Sequence, residues 1–449
     1  MESIWSSTVQ IHERGALKED LSVEAAVIGA GMAGILTAYL LEESGVPVVV
    51  LEADRIGSGQ TQNTTAKITS QHGLIYSKLI KKMGPQKARL YAMAQEAAIS
   101  EYGRIIGEGG IKCHFEQLPS YLYSACQKDA LWKEAQAAKE LGLCAKFLEK
   151  TDLPMEHVGA VCFEEQAQFH PLEFMDEISR GLVVYEKTKA LSVKGNRIIT
   201  NCGTVKAEHI IFASHYPFIN VPGFYFAREH QERSYVIALE SAMQPKGMYY
   251  SIDQGGLSLR NYENFLLVGG GAHRTGRNQK GGQYEELKKQ AQMYFPTGKE
   301  VFCWSAQDCM PHDQMALIGN YSLFSPYWYV ETGFHKWGMT SAMLSAMIIR
   351  DAVCGIENPY RRLFSPQRFY PRMAAGPFIQ DLAVSVKELS KGMFAPKAGK
   401  IRKLRCPHMG CRLYWNEEEQ SFDCPCHGSR FDKEGELLSG PAQKGCCKK

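Results

Sequence analysis

Long apolar runs and an excess of charge of one sign are both missing from this 449-residue chain. No apolar stretch reaches the roughly 18 residues that a helix needs to cross a bilayer, so we expect no membrane span. The 51 basic and 48 acidic residues nearly balance, which disfavours a nucleic-acid partner. Met1–Trp5 lack the basic segment and apolar run of a secretory signal. The length allows two or three domains.

Regular cysteine spacing is also missing before residue 400. Scattered single cysteines in a chain without a visible signal are typically reduced and mostly buried. This pattern predicts a cytoplasmic protein. The cysteines become dense near the C-terminus, where Cys446 and Cys447 have no assignable role.

Two short segments near the C-terminus each combine cysteine with histidine. The first reads Cys406-Pro-His408, and the second reads Cys424-Pro-Cys426-His427. A mixed-ligand [2Fe–2S] centre needs two thiolates on one iron and two imidazoles on the other. The alternative is a Cys2His2 zinc site, but zinc sites usually place two to four residues between paired cysteines and separate the cysteine pair from the histidine pair. The spacing therefore favours the iron–sulfur centre.

These segments resemble the two cluster-binding boxes of the Rieske family, in its respiratory-complex form, over about residues 401 to 445. The resemblance implies a disulfide between Cys411 and Cys426, which would brace the two loops. It also implies that Ser439–Pro441 forms a third loop covering the cluster. The cluster ligands implied by the resemblance are Cys406, His408, Cys424 and His427.

One position departs from the respiratory pattern. Ser429 is present, but Phe431 stands where those proteins usually have a tyrosine whose hydroxyl lies near a cluster cysteine. Hydrogen bonds to the sulfurs help set the potential of histidine-ligated centres, which ranges from about −150 to +300 mV. Because one donor is missing, we expect an intermediate potential rather than a strongly oxidising one.

A glycine-rich turn lies near the N-terminus. Val23–Ile28 reads as a buried strand and is followed by Gly29-Ala-Gly31-Met-Ala-Gly34, an apolar helical stretch and a second strand ending at Glu52. Glycines between strand and helix let backbone amides approach a pyrophosphate at the helix N-terminus. An acidic residue after the next strand is suited to hold a ribose hydroxyl. This order predicts a dinucleotide site.

Two further segments indicate which dinucleotide binds. Thr64–Lys67 follows the first turn, and Tyr329–Ala342 is a glycine-rich segment that opens a helix. Together with the first turn they resemble the D-amino-acid oxidase and glycine oxidase superfamily of flavoproteins, over about residues 20 to 375. The resemblance implies FAD as a cofactor. The FAD-contacting residues that it implies are Gly29, Gly31, Gly34, Glu52, Thr65, Ala66, Lys67, Ala190, Gly333, Gly338, Met339 and Thr340.

The two resemblances together imply an α/β (α+β) fold class. We expect an FAD-binding Rossmann-like fold with an interleaved antiparallel substrate domain, followed by a small all-β Rieske domain. The predicted boundaries are 1–375 for the FAD-dependent oxidoreductase, 376–400 for a linker and 401–449 for the Rieske [2Fe–2S] domain.

No second strand–glycine–helix unit for a nicotinamide is evident in the sequence. We therefore expect an oxidoreductase in which a small amine, amino acid or similar metabolite reduces FAD, and the electrons pass singly to the cluster and to an unidentified acceptor or redox protein. Side chains near the flavin could take a proton from the substrate. Lys336 and His273 are the leading catalytic candidates, beside His72 and His335, and Arg274 could bind a substrate carboxylate.

Two alternatives stay open at this point. The chain could be an electron-transfer protein whose flavin is reduced by another protein, without a small-molecule substrate of its own. It could also be a flavin oxidase that uses oxygen and carries the cluster as a structural or redox-sensing element.

Overall fold

The computed structural model of the protein describes residues 2–400 and 403–446; Cys447 and both ends of the predicted 401–449 domain lie outside them. The helices are α1 (Ile4–Thr8), α2 (Met32–Glu43), α3 (Tyr76–Met83), α4 (Pro85–Gly109), α5 (Lys128–Glu140), α6 (Pro171–Ser179), α7 (Gln283–Tyr294), α8 (Gly338–Val353), α9 (Arg361–Phe364) and α10 (Pro371–Met393). The strands are β1 (Leu21–Ile28), β2 (Val48–Leu51), β3 (Lys67–Ile68), β4 (Glu116–Ser124), β5 (Ala145–Leu148), β6 (Gly159–Gln168), β7 (Val183–Tyr185), β8 (Ala190–Lys194), β9 (Arg197–Thr200), β10 (Thr204–Phe212), β11 (Glu229–Glu240), β12 (Met248–Ser251), β13 (Ser258–Tyr262), β14 (Phe265–Arg274), β15 (Lys299–Pro311), β16 (Leu317–Ser322), β17 (Ser325–Thr332), β18 (Tyr414–Asn416), β19 (Ser421–Asp423), β20 (Arg430–Phe431) and β21 (Leu437–Ser439).

The first sheet has eight strands and a parallel centre. Its order is β16-β17-β10-β1-β2-β7, and the β8–β9 hairpin joins it through β10. Strands β17, β10, β1, β2 and β7 run parallel to their neighbours in that order. All of β2 and the second half of β1 are buried, as expected for parallel strands covered on both faces. This burial accounts for the continuous apolar runs in the sequence.

The second sheet has nine strands and is mainly antiparallel. Its order is β15-β11-β14-β13-β12-β4-β6-β3, with β5 paired to β6. Its long strand β11 pairs with β14 on one side and β15 on the other. Along the chain, the strands of this sheet alternate with those of the first sheet in blocks. Strands β3–β6 follow β2, and strands β11–β15 follow β10. The two sheets are therefore interleaved in sequence, as predicted.

The third sheet consists of four short antiparallel strands, β18 to β21. It has a small core of its own, in which Leu413, Phe422 and Phe431 pack beside the buried cysteines of the cluster segments. The predicted fold class, a Rossmann-like fold with an interleaved antiparallel sheet and a small all-β domain, is confirmed.

The segment between the flavoprotein and the third sheet is helical. Helix α10 covers most of the predicted linker 376–400 and begins before it, at Pro371. The Glu388 carboxylate accepts a hydrogen bond from the Tyr414 hydroxyl at 2.5 Å. A Cβ atom on Gly392 would lie 2.0 Å from the carbonyl oxygen of Gly410, so helix and cluster segment are in tight contact. Among residues 2–400 and 403–446, no helix is long and apolar enough to cross a bilayer.

Candidate active site and cluster site

A cavity of about 850 Å³ lies between the first and second sheets. Its nucleotide end is formed by the turn after β1, where Gly29 and Gly31 line the wall, and by Glu52 after β2. Gly31 has no side chain to cap α2; the Met32 amide donates to the Thr61 hydroxyl at 2.9 Å, and the first residues of the helix, Met32 and Ala33, line the cavity. Free amides at a helix N-terminus are suited to a pyrophosphate. This end therefore fits the phosphates and ribose of FAD.

Gly34 and Glu52 fix the geometry of this turn. A Cβ atom on Gly34 would lie 2.0 Å from the carbonyl oxygen of Gly29, so only glycine lets α2 approach β1 this closely. The Glu52 carboxylate accepts hydrogen bonds from the backbone amides of Ala30 at 2.7 Å and Asp54 at 2.8 Å. Burial raises the pKa of Glu52, and these amides oppose that rise. The carboxylate is thus fixed at the cavity wall.

Most of the predicted FAD-contacting residues line this cavity. They are Gly29, Gly31, Glu52, Thr65, Lys67, Ala190, Gly338 and Met339. Gly34, Ala66, Gly333 and Thr340 lie behind the wall instead. Ala66 directs its carbonyl to the Arg260 guanidinium at 2.8 Å, and the Thr340 hydroxyl donates to the Thr69 carbonyl at 3.2 Å. As direct contacts with FAD these four stay predictions; their packing indicates indirect roles.

The other end of the cavity, called the substrate end below, is formed by Lys67, Tyr250, Ser258, Asp308 and Lys336. The Lys67 ammonium donates to the Tyr249 carbonyl at 2.8 Å and to the Ser258 hydroxyl at 2.7 Å. Burial lowers the pKa of Lys67 to about 7, and the nearby Arg260 charge adds to this shift. The sequence implied that Lys67 contacts FAD, but it gave no signal of the hydrogen bonds to Tyr249 in β12 and Ser258 in β13.

Lys336 is held at the substrate end by acidic partners. Its ammonium lies 2.8 Å from the Glu232 carboxylate of β11. Burial lowers the pKa of Lys336, but the charge and hydrogen bond of Glu232, together with Tyr250 and Asp308, outweigh this effect, so the pKa is raised. Burial raises the pKa of Asp308 to about 6. Both His335 and Lys336 have left-handed backbone, with φ of 51° and 69°.

The remaining candidates lie elsewhere. His72 is hydrogen-bonded to the Tyr91 hydroxyl and stacks on Trp337, and burial lowers its pKa to about 3. Burial likewise lowers the pKa of His335 to about 4. His273 does not line the cavity; its ring stacks on Tyr235 with centroids 5.7 Å apart. As a catalytic group His273 stays a prediction, and its position does not support that role.

The four predicted cluster ligands, two from each box, lie together. The thiols of Cys406 and Cys424 are buried and hydrogen-bonded to each other, which lowers the pKa of Cys406. The rings of His408 and His427 have centroids 5.0 Å apart. Within the described residues, the Nδ1 atoms of both rings are buried without a hydrogen-bond partner. Two thiols and two orphaned imidazole nitrogens are the donor set of a mixed-ligand [2Fe–2S] cluster, so these residues fit it.

The two remaining cysteines of the boxes are bonded to each other. Cys411 and Cys426 form a disulfide, with their Cα atoms 6.7 Å apart. The disulfide ties the first box to the second, as the resemblance implied. The Ser429 hydroxyl accepts a hydrogen bond from the Ala442 amide at 3.0 Å, which attaches the third loop to the second box.

Flavoprotein side chains bind four consecutive carbonyls of the second box. Arg274 donates to the carbonyl of Pro425 at 2.7 Å and to that of Cys426 at 3.0 Å. Gln231 donates to the carbonyl of His427 at 2.6 Å, and Gln307 to that of Gly428 at 2.8 Å. Arg274 was predicted near the flavin, but it reaches the cluster loop and the Asp381 carboxylate instead. No sequence signal identified the two glutamines, because both lie on ordinary strands.

The cluster histidines face a loop that starts at the cavity. This loop, the cap loop, comprises residues 214–228 and follows β10; its first residues, Ser214 and His215, line the cavity. Farther along it, the Asn220 carboxamide oxygen lies 2.8 Å from Nε2 of His408. The ring of His427 is hydrogen-bonded to the backbone of Phe226. The cluster region also contributes Leu438 and Gln443 to the cavity wall. The two sites therefore share a wall.

Comparison with known families matches both parts of the chain. The model of the family described as "FAD dependent oxidoreductase" matches residues 24–352. The model described as "Rieske [2Fe-2S] domain" matches residues 387–448, starting inside α10. The predicted boundaries at 375 and 400 stay predictions.

Curated relatives point the same way. The putative Rieske 2Fe-2S iron-sulfur protein YhfW of Bacillus subtilis is 35% identical, over 99% of this chain and 96% of that protein. The cytochrome b6-f complex iron-sulfur subunit 2 of Trichormus variabilis is 51% identical over 39 residues, which is 9% of this chain and 22% of that one. The second likeness is thus confined to a short segment.

Solved structures share the fold of the larger part. Glycine oxidase from Geobacillus kaustophilus has a TM-score of 0.66 at 16% identity, covering 78% of this chain and 99% of that one. L-proline dehydrogenase from P. horikoshii has a TM-score of 0.65 at 16% identity, covering 79% and 98%. The cofactors predicted from the sequence, FAD and a Rieske [2Fe–2S] cluster, are confirmed. The chain belongs to the FAD-dependent oxidoreductase family and carries a C-terminal Rieske domain.

Proposed function

We propose that this oxidoreductase removes electrons from a small amine, amino acid or similar metabolite and passes them one at a time to its own cluster. The observation that carries the proposal is the shared wall. The cap loop begins at the cavity with Ser214 and His215 and ends against the cluster histidines. Electrons that leave the cavity would therefore have a short, fixed path to the cluster.

The reaction balances if the substrate loses two electrons and two protons, which for an amine come from its α-carbon and its nitrogen. An amine would leave as an imine. When bound, FAD supplies the capacity to take an electron pair and release it singly, and the cluster carries one electron. An external acceptor must then take up two electrons in succession. The sequence does not identify this acceptor, which can be a small molecule or a redox protein.

Lys67 and Lys336 are suited to different tasks at the substrate end. With a pKa of about 7, Lys67 is partly neutral at physiological pH and can accept a proton from a substrate ammonium. Lys336 stays charged because Glu232 raises its pKa. Among the described residues these two lysines are the cations of the substrate end. Lys336 is therefore the candidate to attract a substrate carboxylate.

The proteins of similar fold support this substrate class. They include glycine oxidase, L-proline dehydrogenase, L-amino acid deaminase from Proteus vulgaris and iminodiacetate oxidase from Chelativorans sp. BNC1. All of these names refer to amino acids or related amines. Their identity to this chain is low, so the substrate class is carried over as part of the proposal.

Docking of the second box supports a cluster that stays beside the flavoprotein. Arg274, Gln231 and Gln307 bind its carbonyls, and Arg233 of β11 forms a buried ion pair with Glu419. We propose the division into an oxidoreductase part at 1–375 and a Rieske part at 401–449, with the largely helical connection 376–400 between them. The scattered cysteines of the sequence favour a cytoplasmic location.

The test is anaerobic reduction of the purified holoprotein with a panel of amines, amino acids and hydroxy acids. We expect at least one compound to bleach the flavin absorbance, followed by the electron-resonance signal of the reduced cluster. In a C424S variant with normal flavin content, the same compound should still bleach the flavin, but transfer to a one-electron dye should be lost.

Two outcomes would contradict the proposal. If no compound reduces the flavin but a reduced partner protein does, the chain is an electron-transfer protein. If the same compound, supplied in air, yields peroxide at the full turnover rate while the cluster stays oxidised, the chain is a flavin oxidase with a structural or sensing cluster.

A further inference from the structure

Helix α10 carries a row of exposed apolar side chains, called the apolar stripe below. Its members are Phe378, Ile379, Leu382, Val386, Met393 and Phe394, the last of which directly follows the helix. Ile379 is 64% exposed, Val386 59% and Phe394 87%. At about 100° per residue, the helical members fall on one side of the helix. Contiguous exposed apolar surface of this kind marks an interaction site.

The opposite side of α10 packs on the protein. Asp381 faces inward, where its carboxylate pairs with Arg274 and lies 2.8 Å from both His230 and His312. About two helical turns later, the fully buried Glu388 accepts a hydrogen bond from the Tyr414 hydroxyl. The helix is therefore held on the molecule by its polar side. At the edge of the apolar stripe the Phe378 ring contacts the His312 ring, with centroids 5.7 Å apart, and the other members of the stripe stay exposed.

Charge around the stripe has one sign. Among the described residues from 371 to 405, the acidic ones are Asp381 and Glu388, and both are turned inward. The exposed charged side chains of this segment are Arg372, Lys387, Lys397, Lys400, Lys403 and Arg405. An acidic protein partner or an anionic surface would be attracted here. Phe394 and Met393 at the end of the helix stand next to the lysine-rich stretch.

We propose that α10 lies on the surface of a membrane that contains anionic lipids, with the apolar stripe inserted between headgroups. An exposed apolar arc on a helix, flanked by lysine and arginine and free of outward acids, is the pattern of an interfacial helix. The helix would lie on the bilayer without crossing it.

Such an orientation would bring the cluster close to the membrane. Helix α10 packs against the short turn Tyr225–Ala227 of the cap loop, which covers the cluster histidines. An electron acceptor dissolved in or attached to the membrane would then meet this side of the molecule. The membrane proposal itself does not depend on the substrate or on the direction of electron flow.

The experiment is vesicle flotation with the full-length holoprotein. We expect it to bind vesicles that contain phosphatidylglycerol, to bind phosphatidylcholine vesicles weakly, and to lose binding at high ionic strength. The L382D/V386D variant should bind the anionic vesicles at least about tenfold more weakly, because it removes two apolar side chains and adds two negative charges. The spectra of flavin and cluster verify that the variant is folded.

A matched control variant is available on the hairpin between β16 and β17. Leu323 and Phe324 are 80% and 87% exposed, so L323D/F324D makes the same chemical change away from α10. This control should bind vesicles like the unchanged protein. The proposal is overturned if the unchanged protein does not bind anionic vesicles at low ionic strength, or if both variants weaken binding equally. It is also overturned if the unchanged protein binds no vesicles and light scattering shows a dimer that the L382D/V386D substitutions convert to monomers. A second copy of the chain would then cover the stripe.

Discussion

Replacement of Arg274 should weaken the cluster site and leave the stability of the flavin site unchanged. It donates to the carbonyls of Pro425 and Cys426 and pairs with Asp381. Its side chain is 15% exposed, so water compensates little for the lost bonds. Methionine has a similar length but no donor. The R274M variant should therefore loosen the second cluster box.

The expected size follows from these bonds. Each hydrogen bond from a charged donor contributes about 1.5–3 kcal/mol, so loss of the two carbonyl bonds should weaken docking of the box by about 3–6 kcal/mol. Asp381 keeps its contacts with His230 and His312, so we do not add a further cost for it. The flavin end of the cavity lies outside these contacts and should be unaffected.

Denaturant titration that follows the cluster and the flavin separately measures this effect. In R274M the visible circular dichroism of the cluster should disappear at a lower denaturant concentration, while the flavin absorbance keeps its midpoint. The control is R277M, since Arg277 lies on the following loop, is 40% exposed and has only a 3.8 Å ion pair with Glu388. Its effect should stay below about 1 kcal/mol. Equal midpoints for the two variants would refute the reasoning.

Three further predictions concern single positions. Lys67 has a pKa of about 7, so its neutral fraction grows as the pH rises through 7; flavin bleaching by a substrate should accelerate over the same interval, and K67M should lose this pH dependence. G34A places a Cβ atom 2.0 Å from the Gly29 carbonyl oxygen, so it should lower the free energy of unfolding by about 1–3 kcal/mol and release FAD. G103A lies at an open position of α4 and should raise that free energy by about 0.5–1 kcal/mol. Thermal unfolding distinguishes the two variants. Redox titration should find an intermediate cluster potential that F431Y raises; a wild-type value near the upper limit of about +300 mV contradicts this.

The cofactors were predictable because their binding residues are close together in sequence. The cluster boxes occupy two short loops, and the nucleotide turn comprises one strand, one glycine-rich turn and one helix. Local spacing is sufficient to specify such sites. The positions of His273 and Arg274 were not predictable in this way. The ring of His273 stacks on Tyr235 of the neighbouring strand β11, and this contact joins residues that are distant in sequence.

The segment 376–400 shows a similar limit. It has no glycine or cysteine signature, and this absence indicated a linker. Its helix forms contacts through Asp381 and Glu388, whose partners come from β11, β14, the turn after β15 and the cluster domain. Partners so far away in sequence leave no local pattern.

The sequence by itself determined a dinucleotide site and favoured a cysteine–histidine iron–sulfur centre, because each site uses short segments whose residue types and spacing follow from backbone geometry and coordination. Its resemblance to two families implied FAD and the Rieske type of cluster. Only the tertiary structure decided how the two sites are related. The cap loop, the carbonyl bonds from Gln231, Gln307 and Arg274, and the pairing of Lys336 with Glu232 join residues that are distant in the chain. Such contacts depend on how the sheets pack, and sheet packing is a property of the whole fold.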